Sequence, residues 1–155
     1  MNKNWEESSP ARKQVTDLLQ ELLGEEFKTA PQEEDFKGND LIGTSGTKIS
    51  LRLRRPINQA KLQDLTLRPA EVKRFETNSI DLFAYGYTDK LGNLTQLYLL
   101  HMPSFCAGAK ENRWIYETKT LPEMDKHGNF HSFMAIPWSQ LLIAGIAFPV
   151  LGPLS

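Results

Sequence analysis

Asp35-Phe36-Lys37-Gly38-Asn39-Asp40-Leu41-Ile42, then Gly43-Thr44-Ser45-Gly46-Thr47, then Lys48-Ile49-Ser50-Leu51-Arg52-Leu53-Arg54-Arg55 predicts a β-hairpin. The glycine-containing connection has a length that hairpins use. In the second arm Ile49, Leu51 and Leu53 alternate with Lys48, Ser50, Arg52 and Arg54, so a period of two sends apolar and polar side chains to opposite faces. Asp40 starts the first arm close to the polar face. An acid opposite a ladder of cations suits a metal ion and a phosphate.

The charge balance around this hairpin is uneven. Residues 48–74 carry eight bases (Lys48, Arg52, Arg54, Arg55, Lys61, Arg68, Lys73, Arg74) against Asp64 and Glu71, a net of +6 in a chain whose overall charge is -1. A local basic patch on a near-neutral protein fits an anionic partner, nucleic acid above all. The competing reading is an exposed edge strand kept soluble by Arg and Lys.

The remaining composition is that of a globular domain. With 155 residues, 40% hydrophobic and 24% charged, the chain fits one domain with a real core. Its expected organisation is a flexible stretch at 1–8, a core at 9–148 and a tail at 149–155. The single cysteine, Cys106, excludes an intrachain disulfide and a cysteine-rich zinc site. The N-terminus lacks an apolar signal core, and the most apolar run, Leu141 to Leu151, is shorter than the roughly 20 residues a bilayer requires. That run is expected to form a buried C-terminal helix and tail, in a cytoplasmic protein without a membrane partner. Its apolar character equally suits a homodimer interface.

Outward from the hairpin, Ser9-Pro10 and Gly24 bracket an amphipathic helix with Val15, Leu18, Leu19, Leu22 and Leu23 on one stripe. Glu25 and Glu26 follow it and are near enough to the hairpin to supply a carboxylate, although solvated helix-end charges explain them better. Asp64 to Pro69 alternates as a short strand, while Glu71 to Ser79 is polar and ambiguous. Ile80 to Tyr87 and Leu94 to Leu100 are aromatic or nearly continuously apolar, as central strands covered on both sides are. Arg113 to Lys119 and Phe130 to Ile136 are further strand candidates, and Pro137 opens a last helical segment. The expected fold is α/β, a single domain with a mixed central sheet of five to seven strands between an N-terminal amphipathic helix and a C-terminal helix.

Other chemistries lack their settings. Ser104 and Cys106 near His101 have no nucleophile elbow, His127 and His131 lie across a glycine turn, and Gly43 and Gly46 lack P-loop spacing. Trp5, in a polar segment, is a candidate partner contact. Most other aromatics fit a core.

The helix, the D-x-x-G-x-D turn, the hairpin and the alternating strand together resemble the PD-(D/E)XK superfamily of restriction-endonuclease-like nucleases. The resemblance spans roughly residues 9–148. It implies Mg²⁺-dependent phosphodiester cleavage, with Asp40 as the first metal ligand, Ser50 in the place of the second acid and Arg52 in that of the lysine. The last two are departures: Ser50 carries no charge, and Arg52 stays protonated and grips a phosphate instead of acting as a base. Asp35 is the candidate displaced carboxylate and Lys48 the displaced lysine, while Arg52, Arg54, Arg55 and Arg68 are the candidate nucleic-acid contacts. A second acid-x-Lys, Glu117-Thr118-Lys119, reads better as an exposed strand with cross-strand charge pairs. Two functions follow: a nuclease, or a catalytically inactive nucleic-acid-binding or protein-interaction module.

Overall fold

The computed structural model describes residues 10–30, 41–55, 64–120 (backbone only at 119–120) and 132–151. Helix α1 (Pro10–Leu23) has Pro10 as its first residue and ends at Gly24, whose φ of +69° is the left-handed conformation glycine tolerates best. Of its predicted stripe, Val15 and Leu19 are fully buried together with Ala11, Leu18 is half-buried, and Leu22 and Leu23 are exposed. The helix therefore buries a narrower face than its sequence offers.

The predicted hairpin is present at its turn end, as β2 (Leu41–Gly43) and β3 (Lys48–Arg54) with Leu41 opposite Ile49, while residues 35–40 of its first arm lie outside the described residues. Strand β1 (Phe27–Thr29) extends it on one side. On the other, β3 pairs in parallel with β5 (Leu82–Thr88), followed by antiparallel β6 (Leu94–His101) and β9 (Ala147–Leu151). The described sheet is thus six-stranded and mixed, in the order β1-β2-β3-β5-β6-β9. β3 is an interior strand, so the edge-strand reading of its basic residues is overturned.

The parallel pair needs a crossover, and this one carries β4 (Leu65–Leu67) and helix α2 (Pro69–Thr77). Pro69 ends the strand and opens the helix. The polar stretch 71–79 is therefore mostly helical, with Glu71 and Phe75 as its buried residues. Helix α3 (Met102–Lys110) takes up the small-residue stretch after β6. β4 joins β8 (Ser132–Ile136) and β7 (Glu117–Thr120) in a small antiparallel sheet of order β4-β8-β7.

The expected C-terminal helix is short. Helix α4 (Trp138–Ile143) stops before Gly145, and the rest of the apolar run is β9, an edge strand that accommodates Pro149. Strand β9 also crosses the expected core–tail boundary at 148. Leu141 and Ala147 are buried, but Ile143, Phe148 and Leu151 are exposed, which corrects the expectation of a wholly buried segment. Among the described residues no helix is long and apolar enough to cross a membrane.

Two cores lie on opposite faces of the main sheet. Ile49, Leu51 and Leu53 of β3 pack with Ala11, Val15 and Leu19 of α1. Phe83, Tyr85 and Tyr87 of β5 pack on the other face with Phe75, Met102, Phe105, Trp138 and Leu141, under α2, α3, α4 and the small sheet. Both faces of β5 are covered, as its composition predicts.

Candidate anion site on the polar face of β3

Because the apolar face of β3 meets α1, its polar face turns toward α2 and β4. The basic ladder is consequently folded inward. Arg52 retains 16% of its side-chain exposure and forms an ion pair through Nη2 with Glu71, whose side chain retains 9%. Its Nη1 donates to the Thr66 carbonyl oxygen at 3.2 Å, and its guanidinium lies over the Phe83 ring at 5.4 Å. Both terminal nitrogens and one face of this cation therefore have partners of complementary character.

Glu71 is committed equally. Its Oε1 accepts the backbone N–H of Arg68 at 3.0 Å, so one carboxylate caps the start of α2 and neutralises Arg52. Pairing explains how a glutamate is tolerated as one of the two buried residues of that helix.

Arg54 continues the same face. Its Nε donates to the Tyr85 hydroxyl at 2.9 Å and its Nη2 to Thr66 Oγ1 at 2.6 Å, while the two hydroxyls share a hydrogen bond of 2.8 Å. The guanidinium also lies 5.6 Å from the Tyr85 ring centre. Its Nη1 makes no hydrogen bond to any described residue. Arg54 is therefore held in place with one donor nitrogen to spare.

The other sequence-derived candidates are distributed unevenly. Ser50 is buried, with 2% exposure, between Lys48 and Arg52. Lys48 lies at the far end of the strand, about 20 Å from Arg54 at 3.3 Å per residue. There its Nζ donates to the carbonyl of Asn78, the C-cap of α2, at 3.4 Å, so it serves the helix terminus rather than the arginine pair. Its backbone N–H donates to Asp81 Oδ2 at 2.8 Å. Arg68 is exposed at the N-cap of α2, and Arg55, half-buried, follows Arg54. Asp35 and Asp40 lie outside the described residues, as do Trp5, His127 and His131.

Glu25 does reach the hairpin, but at its tip: Oε1 accepts from the backbone N–H of Ser45 at 3.0 Å and from its hydroxyl at 2.9 Å. Glu117 of the second acid-x-Lys lies on β7 in the small sheet and is exposed. Thr66, Glu71 and Tyr85 are the participants that the sequence alone does not single out. Their signals were a threonine in a strand candidate, a glutamate in an ambiguous segment and a tyrosine in an apolar strand.

Among the described residues no group of three or more His, Cys, Asp or Glu is placed to hold a metal. The described donors around Arg52 and Arg54 are guanidinium groups, hydroxyls and a carboxylate already engaged by arginine. Such a set fits an anion and does not fit Mg²⁺, which takes oxygen ligands with negative charge.

Next to the arginine pair, the Tyr87 hydroxyl accepts from Trp138 Nε1 at 3.1 Å. Burial, aided by neighbouring Tyr85, pushes the Tyr87 phenol far above its ordinary range, against the opposing effect of the Trp138 hydrogen bond. The folded protein thus holds this proton more tightly than the unfolded chain, and the resulting stability is present below the unfolded tyrosine pKa, near 10. It is lost as pH rises beyond that. Tyr87→Phe is expected to flatten the decline in urea midpoint between pH 9 and 11, and an unchanged decline would assign it to other groups.

No family model matches this chain, and no curated protein matches it.

Proposed function

We propose that this chain is a divergent PD-(D/E)XK-like domain that acts on nucleic acid, binding phosphates at the Arg54 end of β3. The observation that carries the reading is Arg54 itself: a guanidinium fixed by Tyr85 and Thr66, with Nη1 unused among the described residues. A pre-positioned guanidinium loses little conformational freedom when it grips an anion. Glu71 is paired with Arg52, so within this pair the Arg54 guanidinium is the cation left to face a ligand.

Binding is the part of this reading that the described residues support. Phosphodiester cleavage would depend on Mg²⁺ held by Asp40 and Asp35, with Ser50, Arg52 and Lys48 as departures from the usual acid and lysine.

Fluorescence anisotropy with labelled single- and double-stranded DNA tests the proposal. Affinity is expected to fall steeply from about 50 to 200 mM salt, as phosphate contacts require. Arg54→Ala should weaken binding about tenfold and reduce the salt slope by about 1, the signature of one lost phosphate contact. Absence of binding at low salt overturns the reading. Nicking of supercoiled DNA in Mg²⁺ or Mn²⁺, abolished by EDTA and by Asp40→Ala, would add catalysis; binding without nicking would identify the inactive module.

A further inference from the structure

Beside the arginine pair lies a cleft of about 430 Å³, lined by Asp64, Tyr87, Gln96, Tyr98, Pro137, Trp138 and Ser139. Its volume lies within the range of small-ligand sites, about 300–1,000 Å³. We propose that this cleft holds a single unstacked nucleobase with adjacent N–H donors on its edge, guanine foremost. The inference rests on the nucleic-acid reading above and adds to it the group that is recognised.

The aromatic wall is built before any ligand arrives. Tyr98 stacks on Trp138 with ring centres 4.3 Å apart and planes 11° from parallel. Tyr85 meets Trp138 edge-on at 5.4 Å, and the Tyr87 hydroxyl fixes the indole N–H. Trp138 thus has three partners, the Tyr98 and Tyr85 rings and the Tyr87 hydroxyl, and its stack holds Tyr98. Trp138 and Tyr87 are buried, which leaves half-buried Tyr98 as the ring that faces the cleft; stacking of bases on aromatic side chains is a general means of binding single-stranded nucleic acid.

The polar lining is unspent. The side chains of Asp64, Gln96, Tyr98 and Ser139 make no hydrogen bond to any described residue, although Asp64, Gln96 and Tyr98 are half-buried. Asp64 offers acceptors only, and a carboxylate fits the adjacent ring and amino N–H donors of guanine in a bidentate pair. Gln96 supplies both a donor and acceptor for the remaining edge. The negative charge of Asp64 repels a phosphate, which leaves the base, not the backbone, as the cleft's occupant.

Position ties the cleft to the proposed phosphate anchor. Arg54 and Tyr87 are directly paired on adjacent strands, which lie about 4.8 Å apart. Asp64 precedes by two residues the Thr66 that holds Arg54. A nucleotide whose phosphate rests on Arg54 therefore has its base next to the cleft.

The experiment compares labelled dT12 with the same oligonucleotide carrying one central dG, by anisotropy at low salt. It also follows free guanosine against thymidine by saturation-transfer NMR. The dG oligonucleotide is expected to bind about tenfold more tightly than dT12, within the range of one bidentate base contact. Asp64→Asn should bring that ratio to one and abolish the guanosine signal, with thermal melting confirming that the variant is folded. Equal affinity of the two oligonucleotides in the unmodified protein, or a preference retained in Asp64→Asn, overturns the base site while the phosphate reading stands. Guanosine binding that depends on Asp64, without binding of either oligonucleotide, overturns the nucleic-acid reading and retains the cleft. Absence of both overturns both.

Discussion

Glu71→Ala is expected to lower the free energy of unfolding by about 3–5 kcal/mol, the cost of leaving one member of a buried ion pair alone. Arg52 would keep its bond to the Thr66 carbonyl and its contact with Phe83, but lose its only described carboxylate. The Arg68 N–H would also lose its acceptor, so the start of α2 weakens at the same time. Glu71→Gln keeps an acceptor without the charge and should lose less. Urea denaturation of the three proteins measures both values. A loss below about 1 kcal/mol for Glu71→Ala, the scale of an exposed pair, would mean that water reaches Arg52 freely.

Phe83→Ala is expected to be as damaging, at about 3–5 kcal/mol for an aromatic-to-alanine change in a core. Phe83 is fully buried, with Phe75 at 5.1 Å and Tyr85 edge-on at 5.5 Å. Its other role is to cover the guanidinium of Arg52. Loss of the ring therefore opens a cavity and admits water to an ion pair that the core has shielded. Phe83→Leu restores volume without the ring face, so the difference in urea midpoint between the two variants isolates the aromatic contribution. Equal losses would show that the ring contributes volume alone.

What could be read from the chain follows from how local each signal is. Helix α1 is announced by Pro10, Gly24 and a stripe that includes Val15 and Leu19, all within one short segment. The alternation of β3 and the turn end of the hairpin are local as well, and both are present among the described residues. Helix α2 gives no such signal: of its two buried residues one is Glu71, whose burial makes sense only beside Arg52 on another element. Helix α3 is masked by its small residues. Gly108 is one of them for a spatial reason, since a Cβ there would collide with the Trp114 indole.

The end of the chain misleads in a different way. Leu141 to Leu151 is apolar throughout, and an apolar run without a period does not distinguish a buried helix from an edge strand. Gly145, with φ of +77°, and Pro149 mark the change, which the structure resolves as a short helix followed by β9.

The candidate site is legible in half. Its cations are visible as a basic strand, but the direction they face and the partners they meet depend on strand order. Thr66, Glu71 and Tyr85 reach Arg52 and Arg54 only because the crossover returns the chain to β5 alongside β3. The notional exposure of a polar strand face is thereby reversed.

That crossover also sets when the anchor can exist during folding. The hairpin β2–β3 forms between neighbours in sequence, whereas parallel pairing of β3 with β5 must first close the whole segment from Arg54 to Leu82. Closure costs chain entropy before any contact repays it. Until that step Arg52 and Arg54 are ordinary solvated cations on a hairpin, able to attract any polyanion without discrimination. Pairing of β3 with β5 supplies the partners that fix them, so Arg52 and Arg54 acquire a defined geometry only once the chain has returned alongside β3.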